Sequence, residues 1–399
     1  MRIVHISTSV HGGAGIAATR LHRALLSAGH DSFMIARDSD SCVPNLITQQ
    51  LPLAKRPLSG LTTLACRLAS DRDGSFFSPY SLQTLSSAPI TALQPDVLVV
   101  HNWFNQFANP VTALQLSPAA PVIFVMHDQR LFTGACHHAD ECEGFISKCE
   151  RCPQTYKILR ARVSRNLTNS ISLNRRLKVA AVAPSRWLLD KARESTVLRT
   201  MDLHHVPNTL DPSTFDPHRK VRARRKFGIS DDALVMAWQP GKGDDLFPET
   251  MNVLADTSLR RKPTVLHTGS TRPDDTPFAS IAAGHLSTED DRADFWAAAD
   301  VGCSLTARDN FPNIVLESLA SGTPFVAPRI GGAYEAINET RGGIACDRTS
   351  TGMAQGIQTL LDNSRLRETL SKSAREGLLR SYAPQLVARQ YLALFSSMI

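Results

Sequence analysis

Two carboxylates stand eight positions apart in the stretch Asp309-Asn310-Phe311-Pro312-Asn313-Ile314-Val315-Leu316-Glu317. Pro312 suits the opening of a helix, because its φ is already helical and it leaves no N–H unpaired. The spacing therefore puts Asp309 in the loop before a helix and Glu317 within that helix. A helix N-terminus offers N–H groups and the positive end of a dipole to a phosphate. An acid just outside it can accept hydroxyl hydrogens from a sugar. An acid inside it can accept two hydrogen bonds from a ribose diol. With Phe311, Pro312 and Asn313 forming the turn between them, the pair would grip both ends of a sugar nucleotide. An ordinary helix with an acid favoured by its dipole gives the same pattern.

A second group is made of thiols. Cys136, Cys142, Cys149 and Cys152 are separated by five, six and two residues, with His137 and His138 alongside. In a reducing compartment, four thiols so close favour a structural metal, zinc by its ligand preference, over disulfides. Only Cys149-x-x-Cys152 has the spacing of a standard ligand pair, and a reduced, packed cluster is the alternative. Neither reading makes the cluster catalytic. A third group is cationic: twelve Lys and Arg residues fall between Arg151 and Arg199, opposed only by Asp190 and Glu194. They form either a solvated helical face or a surface for anionic lipid or a pyrophosphate-linked acceptor, each cation near a membrane contributing about 1 kcal/mol. Aromatic residues hardly interleave with these charges, so nucleic acid is not an expected partner.

These residues need a scaffold. A chain of 399 residues is expected to form two domains, and 42% hydrophobic with 20% charged residues is enough to build full cores. Residues 2–7 read as a buried strand, 12–15 as a glycine loop, 16–28 as a helix ending at Gly29, and 30–36 as the next strand, a βαβ opening. Residues 96–101 and 122–127 are further strands, each ending in a histidine, His101 and His127. Pro207, Pro212 and Pro217 mark a linker, after which 234–238, 264–269, 300–305 and 324–327 read as strands. The expectation is an α/β chain of two Rossmann-like parallel sheets facing a central cleft. Residues 1–207 would form the first domain, with the cysteine cluster at 136–152, and 208–383 the second. Residues 384–399 would form a helix packing back on the first domain. The start of the chain reads as a strand rather than a secretion signal, and the apolar runs are too short to span a bilayer. The expected location is cytoplasmic, extending to peripheral attachment on the inner face of the membrane.

The stretch 309–324 resembles the signature of retaining glycosyltransferases of family 4, which adopt the GT-B fold. There an acid, seven residues and a Glu precede a helix ending in Ala-x-Gly-x-Pro, here Ala320-Ser321-Gly322-Thr323-Pro324. The resemblance implies that Glu317 holds the donor ribose and that Asp309, shorter than the family's Glu, contacts the transferred sugar. It implies that Gly12, Gly13 and Gly15 belong to a loop approaching the donor phosphates. It assigns His127 to the reaction centre beside the sugar, and Lys242, in Lys242-Gly243, to the donor diphosphate. The Arg that usually stands near this Lys is replaced by Gln239-Pro240-Gly241. Gly331-Gly332-Ala333-Tyr334-Glu335 resembles the family's Gly-Gly-x-x-Glu loop. The cysteine motif resembles a branch that builds colanic acid and related exopolysaccharides. The family implies a UDP- or GDP-sugar donor, a lipid-linked saccharide acceptor, no catalytic metal or cofactor, and transfer with retention. The competing readings are a non-catalytic sugar-nucleotide-binding or scaffold protein and another GT-B enzyme, such as a sugar-nucleotide epimerase.

Overall fold

A computed structural model describes residues 1–70, 77–101, 107–109, 112, 115–174, 179–241, 244–269, 276–306 and 308–399. The chain divides into two units, Met1–Asn208 with Val387–Ile399, and Thr209–Leu386. In the first, β1 (Arg2–Ile6), β2 (Asp31–Ala36), β3 (Leu46–Thr48), β4 (Val97–Val100), β5 (Val122–Val125), β6 (Val179–Ala183) and β7 (Asp202–His205) form a parallel sheet of order β3-β2-β1-β4-β5-β6-β7. The central strands are apolar and buried on both faces, as a parallel sheet covered by helices requires. Alternate residues face opposite layers. Ile3, Val97, Val99 and Ile123 pack on Leu21, Leu25, Tyr391 and Phe395. Val4, Leu98, Val100 and Phe124 pack with Phe132, Leu188 and Leu198. The Pro384–Met398 helix thus buries Val387, Tyr391 and Phe395 in the core of the first unit.

In the second unit, β8 (Val235–Trp238), β9 (Thr264–His267), β10 (Ser280–Ala282), β11 (Val301–Cys303), β12 (Phe325–Pro328) and β13 (Gly343–Cys346) pair in parallel in the order β10-β9-β8-β11-β12-β13. The α/β class and the two Rossmann-like sheets are as read from the sequence. Each sheet reverses its winding once, between β1 and β4 and between β8 and β11. Ligand crevices of such sheets lie outside the carboxyl ends at that reversal. Among the described residues no helix is long and apolar enough to cross a membrane.

One local element differs from expectation. Gly12, Gly13 and Gly15 form the first turn of the Gly12–Ser27 helix rather than a loop before it. Gly12 enters with φ +70, and Gly15 sits against backbone: a Cβ there would lie 2.5 Å from the Val10 carbonyl carbon and 2.6 Å from the Ser9 oxygen. Gly13 has open space around it. Gly15→Ala is expected to cost about 1–3 kcal/mol through overpacking, whereas Gly13→Ala is expected to be neutral or slightly stabilising. Thermal melting of the two variants checks this.

Candidate functional site

The second unit places an acid-bearing helix at its switch point. Asp309 follows β11, and the Asn313–Ala320 helix starts after Pro312 with no side chain capping it. Glu317 is 1% exposed on this helix. A carboxylate shut away from water needs partners, and it has them: Trp296 Nε1 donates to Oε2 at 3.2 Å, and Arg292 Nε lies 3.8 Å from Oε1. Trp296 holds the helix a second time, because its carbonyl accepts from Thr323 Oγ1 at 2.7 Å and the Thr323 carbonyl accepts from Ser318 Oγ at 2.9 Å.

The loop ahead of this helix is fixed from below. Asp309 Oδ1 accepts from the Phe311 N–H at 3.2 Å, an Asx-type turn. The Gly332 N–H donates to the Asn310 carbonyl at 2.9 Å. A Cβ at Gly332 would lie 2.3 Å from that oxygen and 2.8 Å from Phe311 Cα, so only glycine lets the Gly331–Thr340 helix approach. Asp309 stays open to solvent on one side. The protein around it pushes its carboxyl up to about 6, against the pull of the Phe311 and Asn310 N–H groups.

The loop after β8 lies across the same switch point. Asp244 Oδ2 accepts from Trp238 Nε1 at 3.1 Å and from the Gly241 N–H at 2.9 Å, and the position of a Gly241 Cβ is 3.7 Å from Thr306 in the loop after β11. Burial raises the Asp244 carboxyl above its usual range. Asp244 thereby ties Gly241 to Trp238; the predicted donor-phosphate residue, Lys242, lies outside the described residues.

In the first unit, His127 follows β5 and joins a row of imidazoles. Its Nε2 is 3.0 Å from His101 Nδ1, and His101 Nε2 is 3.0 Å from His5 Nδ1, with both ring pairs stacked. Burial depresses all three: His127 falls to about 4 despite Asp128 beside it, and His5 and His101 lie well below their ordinary value. They are neutral at pH 7, so each contact is one N–H donating to one lone pair. Asp128 does the reverse. Burial acts to raise it, but His137 Nδ1 at 2.6 Å and the Arg130 N–H at 2.8 Å bring it down to about 2. His137 Nε2 also reaches Ser78 Oγ at 2.8 Å.

Cys136, Cys142, Cys149 and Cys152 all line one small cavity with Thr133, Phe145 and Val163. All four are free thiols, and burial pushes the Cys149 thiol up to about 11, with Cys152 and Cys142 adding to it. Among the described residues no three His, Cys, Asp or Glu side chains stand where they could share a metal ion. In this structure the four thiols pack together around the cavity as a reduced cluster.

The structure thus brings Asp309, Phe311, Pro312, Asn313 and Glu317 to one strand end of the second unit. Gly12, Gly13, Gly15 and His127 lie at strand ends of the first. Sequence reasoning missed Trp296, Arg292 and Asp244, whose roles depend on contacts distant in the chain. It noted His101 only as a strand end, although a histidine after each of two adjacent strands was the available signal.

Residues 272–363, under a quarter of the chain, match the family described as Glycosyl transferases group 1. D-inositol 3-phosphate glycosyltransferase of Geodermatophilus obscurus is 30% identical over 196 residues, 43% of this chain and 42% of that protein. Lipopolysaccharide core biosynthesis glycosyltransferase LpsE of Rhizobium meliloti is 29% identical over 110 residues, 27% of this chain and 32% of that protein. The chain therefore spans less than half the length of these relatives. Sucrose-phosphate synthase from Thermosynechococcus elongatus superposes over 99% of this chain and 98% of its own, with TM-score 0.69 and 16% identity. HepE of Anabaena, solved with UDP-glucose, covers 100% of both chains with TM-score 0.64 and 14% identity. The fold is that of GT-B glycosyltransferases.

The charge states give the sign of acid sensitivity. Between about pH 6.5 and 4 the unfolded chain protonates His5, His101 and His127 while the native state keeps them neutral, so stability falls as pH drops through that window. Asp128 is depressed in the native state, so its contribution is complete above about pH 4 and is lost as pH falls toward 2. Asp128→Asn is expected to flatten the lower window and, by removing the charge that raises His127, to extend the upper one to lower pH, as read by denaturant unfolding at stepped pH. A Gly332→Ala variant is expected to lose about 1–3 kcal/mol of stability from its collision with Asn310, measured the same way.

Proposed function

We propose that the protein is a retaining glycosyltransferase that moves a sugar from a nucleoside-diphosphate sugar onto a lipid-linked saccharide during assembly of a surface polysaccharide. The observation that carries this reading is the uncapped helix start at Pro312, with Asp309 before it and Glu317 held inside it, at the switch point of a Rossmann-like sheet. The family match over residues 272–363 covers that same stretch. The UDP-glucose in the Anabaena structure supports a UDP-sugar donor, and the naming of the Rhizobium relative supports a surface saccharide acceptor.

In this reading the diphosphate rests against the N–H groups of the helix start, whose dipole stabilises charge as it develops on the leaving oxygen. Glu317 accepts hydrogen bonds from the ribose hydroxyls. Trp296 and Arg292 orient the carboxylate, and the ribose reaches it only once these two side chains move aside. Asp309 accepts from hydroxyls of the transferred sugar. His127, kept neutral, offers a hydrogen bond rather than a charge to the same sugar. Lys242 supplies a fixed cation to the diphosphate. The anomeric C–O bond to the diphosphate breaks, a C–O bond to the acceptor hydroxyl forms on the same face, and the acceptor's proton passes to the departing diphosphate. No metal is needed for this sequence.

Release of UDP or GDP from a panel of nucleotide sugars, with and without a polyprenyl-diphosphate saccharide, tests the reading. Acceptor-dependent release is expected from one donor. Glu317→Gln keeps the shape of the buried side chain and is expected to weaken donor binding roughly 10- to 100-fold, the loss of about 1.5–3 kcal/mol for hydrogen bonds to a charged group. Binding of donor without release of diphosphate would favour a non-catalytic sugar-nucleotide-binding protein.

A further inference from the structure

The Arg56–Ala69 helix turns the wrong face to solvent for a soluble surface. Ser59, Cys66 and Ala69 are its buried side. Leu58, Leu61, Leu64 and Leu68 follow at intervals of three, three and four, so they form one stripe along the helix. All four are at least half exposed, and Leu53 just before the helix is 74% exposed. Scattered exposed leucines need no explanation, but a continuous row of them does.

The stripe does not end with the helix. Ser70 pairs with Thr155 in an isolated antiparallel bridge, and Thr155 Oγ1 donates to the Ala69 carbonyl. This sets Leu68 beside the segment carrying Tyr156 and Ile158, the latter 87% exposed. Three residues of extended chain reach only about 10 Å, so both side chains stay near the helix end. The helix and the Thr155 segment themselves carry cations only, with Asp71, Asp73 and Glu150 just outside them in sequence. Over residues 51–70 and 153–174 the cations are Lys55, Arg56, Arg67, Lys157, Arg160, Arg162 and Arg165, and there is no Asp or Glu. Arg162 packs on Tyr80. Lys55, Arg56, Arg67 and Lys157 are exposed beside the leucines.

We propose that the leucine face of the Arg56–Ala69 helix, together with Tyr156 and Ile158, docks the protein on an anionic lipid surface. An apolar stripe flanked by Lys and Arg is the arrangement that lies in a bilayer interface, with leucines among the acyl chains and cations at the headgroups. A second copy of the chain is the poorer occupant. A twofold contact through this face would set its cations against one another with no acid in either segment to relieve them. The docking is independent of the donor-site reading.

Co-sedimentation of the full chain with phosphatidylglycerol-containing vesicles and with pure phosphatidylcholine vesicles tests it. Binding is expected to the anionic vesicles and to weaken with salt. Leu61→Ser with Leu68→Ser is expected to weaken it at least about tenfold, and Arg56→Gln or Arg67→Gln roughly fivefold each. These positions are exposed, so circular dichroism and nucleotide-sugar binding should match the parent, which separates a failure of docking from a failure of the donor site. A parent that stays in solution, binding unchanged by the leucine substitutions, or a dimer in light scattering that those substitutions dissociate, would overturn the proposal.

Discussion

The clasp of Trp296 on the Asn313–Ala320 helix is the constraint on which the second unit's site depends. A buried carboxylate is tolerated only where its lone pairs are met, and Glu317 finds Trp296 Nε1 and Arg292. The same tryptophan takes the Thr323 hydroxyl at its carbonyl, and Thr323 in turn takes Ser318. Three side chains of one loop–helix–turn are thereby tied to one residue of a neighbouring helix. The N-terminus of the Asn313–Ala320 helix has little freedom left, and the loop from Asp309 to Pro312 inherits its position. Gly332 closes the remaining side by bringing a second helix against Asn310.

The two units solve different electrostatic problems. The second concentrates negative groups at a helix start that favours anions, with Glu317 paired to Trp296 and Arg292 and the Asp309 carboxyl raised to about 6 by burial. The first gathers His5, His101 and His127 in a row and discharges them by burial. Three imidazolium rings at such distances would repel. Neutral rings instead alternate donor and acceptor along the row, so the proton position on one ring fixes the next. Asp128, one residue beyond, carries the local negative charge and spends it on His137, which ties the 128–137 loop together.

Much of the architecture was legible because the buried strands are unbroken apolar runs. The sequence places β1, β4, β5, β8 and β9 within two residues at either end. Short, half-buried strands carried no such signal. Asp202–His205 and Ser280–Ala282 are polar or exposed, and their membership of a sheet depends on neighbours far along the chain. The glycine run misled for a related reason: three glycines suggest a loop, but the close packing of Gly15 on Val10 makes them a helix start. The Asp309–Glu317 pair could be read because its spacing is local. Its supporting residues, Trp296 twenty-one positions earlier in the chain and Gly332 beyond the next strand, could not. The leucine stripe is periodic in sequence, but apolar helical periodicity is ordinarily the mark of a core face. Only its exposure distinguishes it.

The central claim is that the loop and helix from Asp309 to Glu317 hold an activated sugar by its nucleotide. A structure of the protein with a bound nucleoside-diphosphate sugar measures this directly. The account predicts the diphosphate at the helix start by Pro312 and Asn313, the ribose hydroxyls on Glu317, and the sugar within reach of Asp309. A nucleotide seated elsewhere, with Glu317 still enclosed by Trp296 and Arg292, would contradict it.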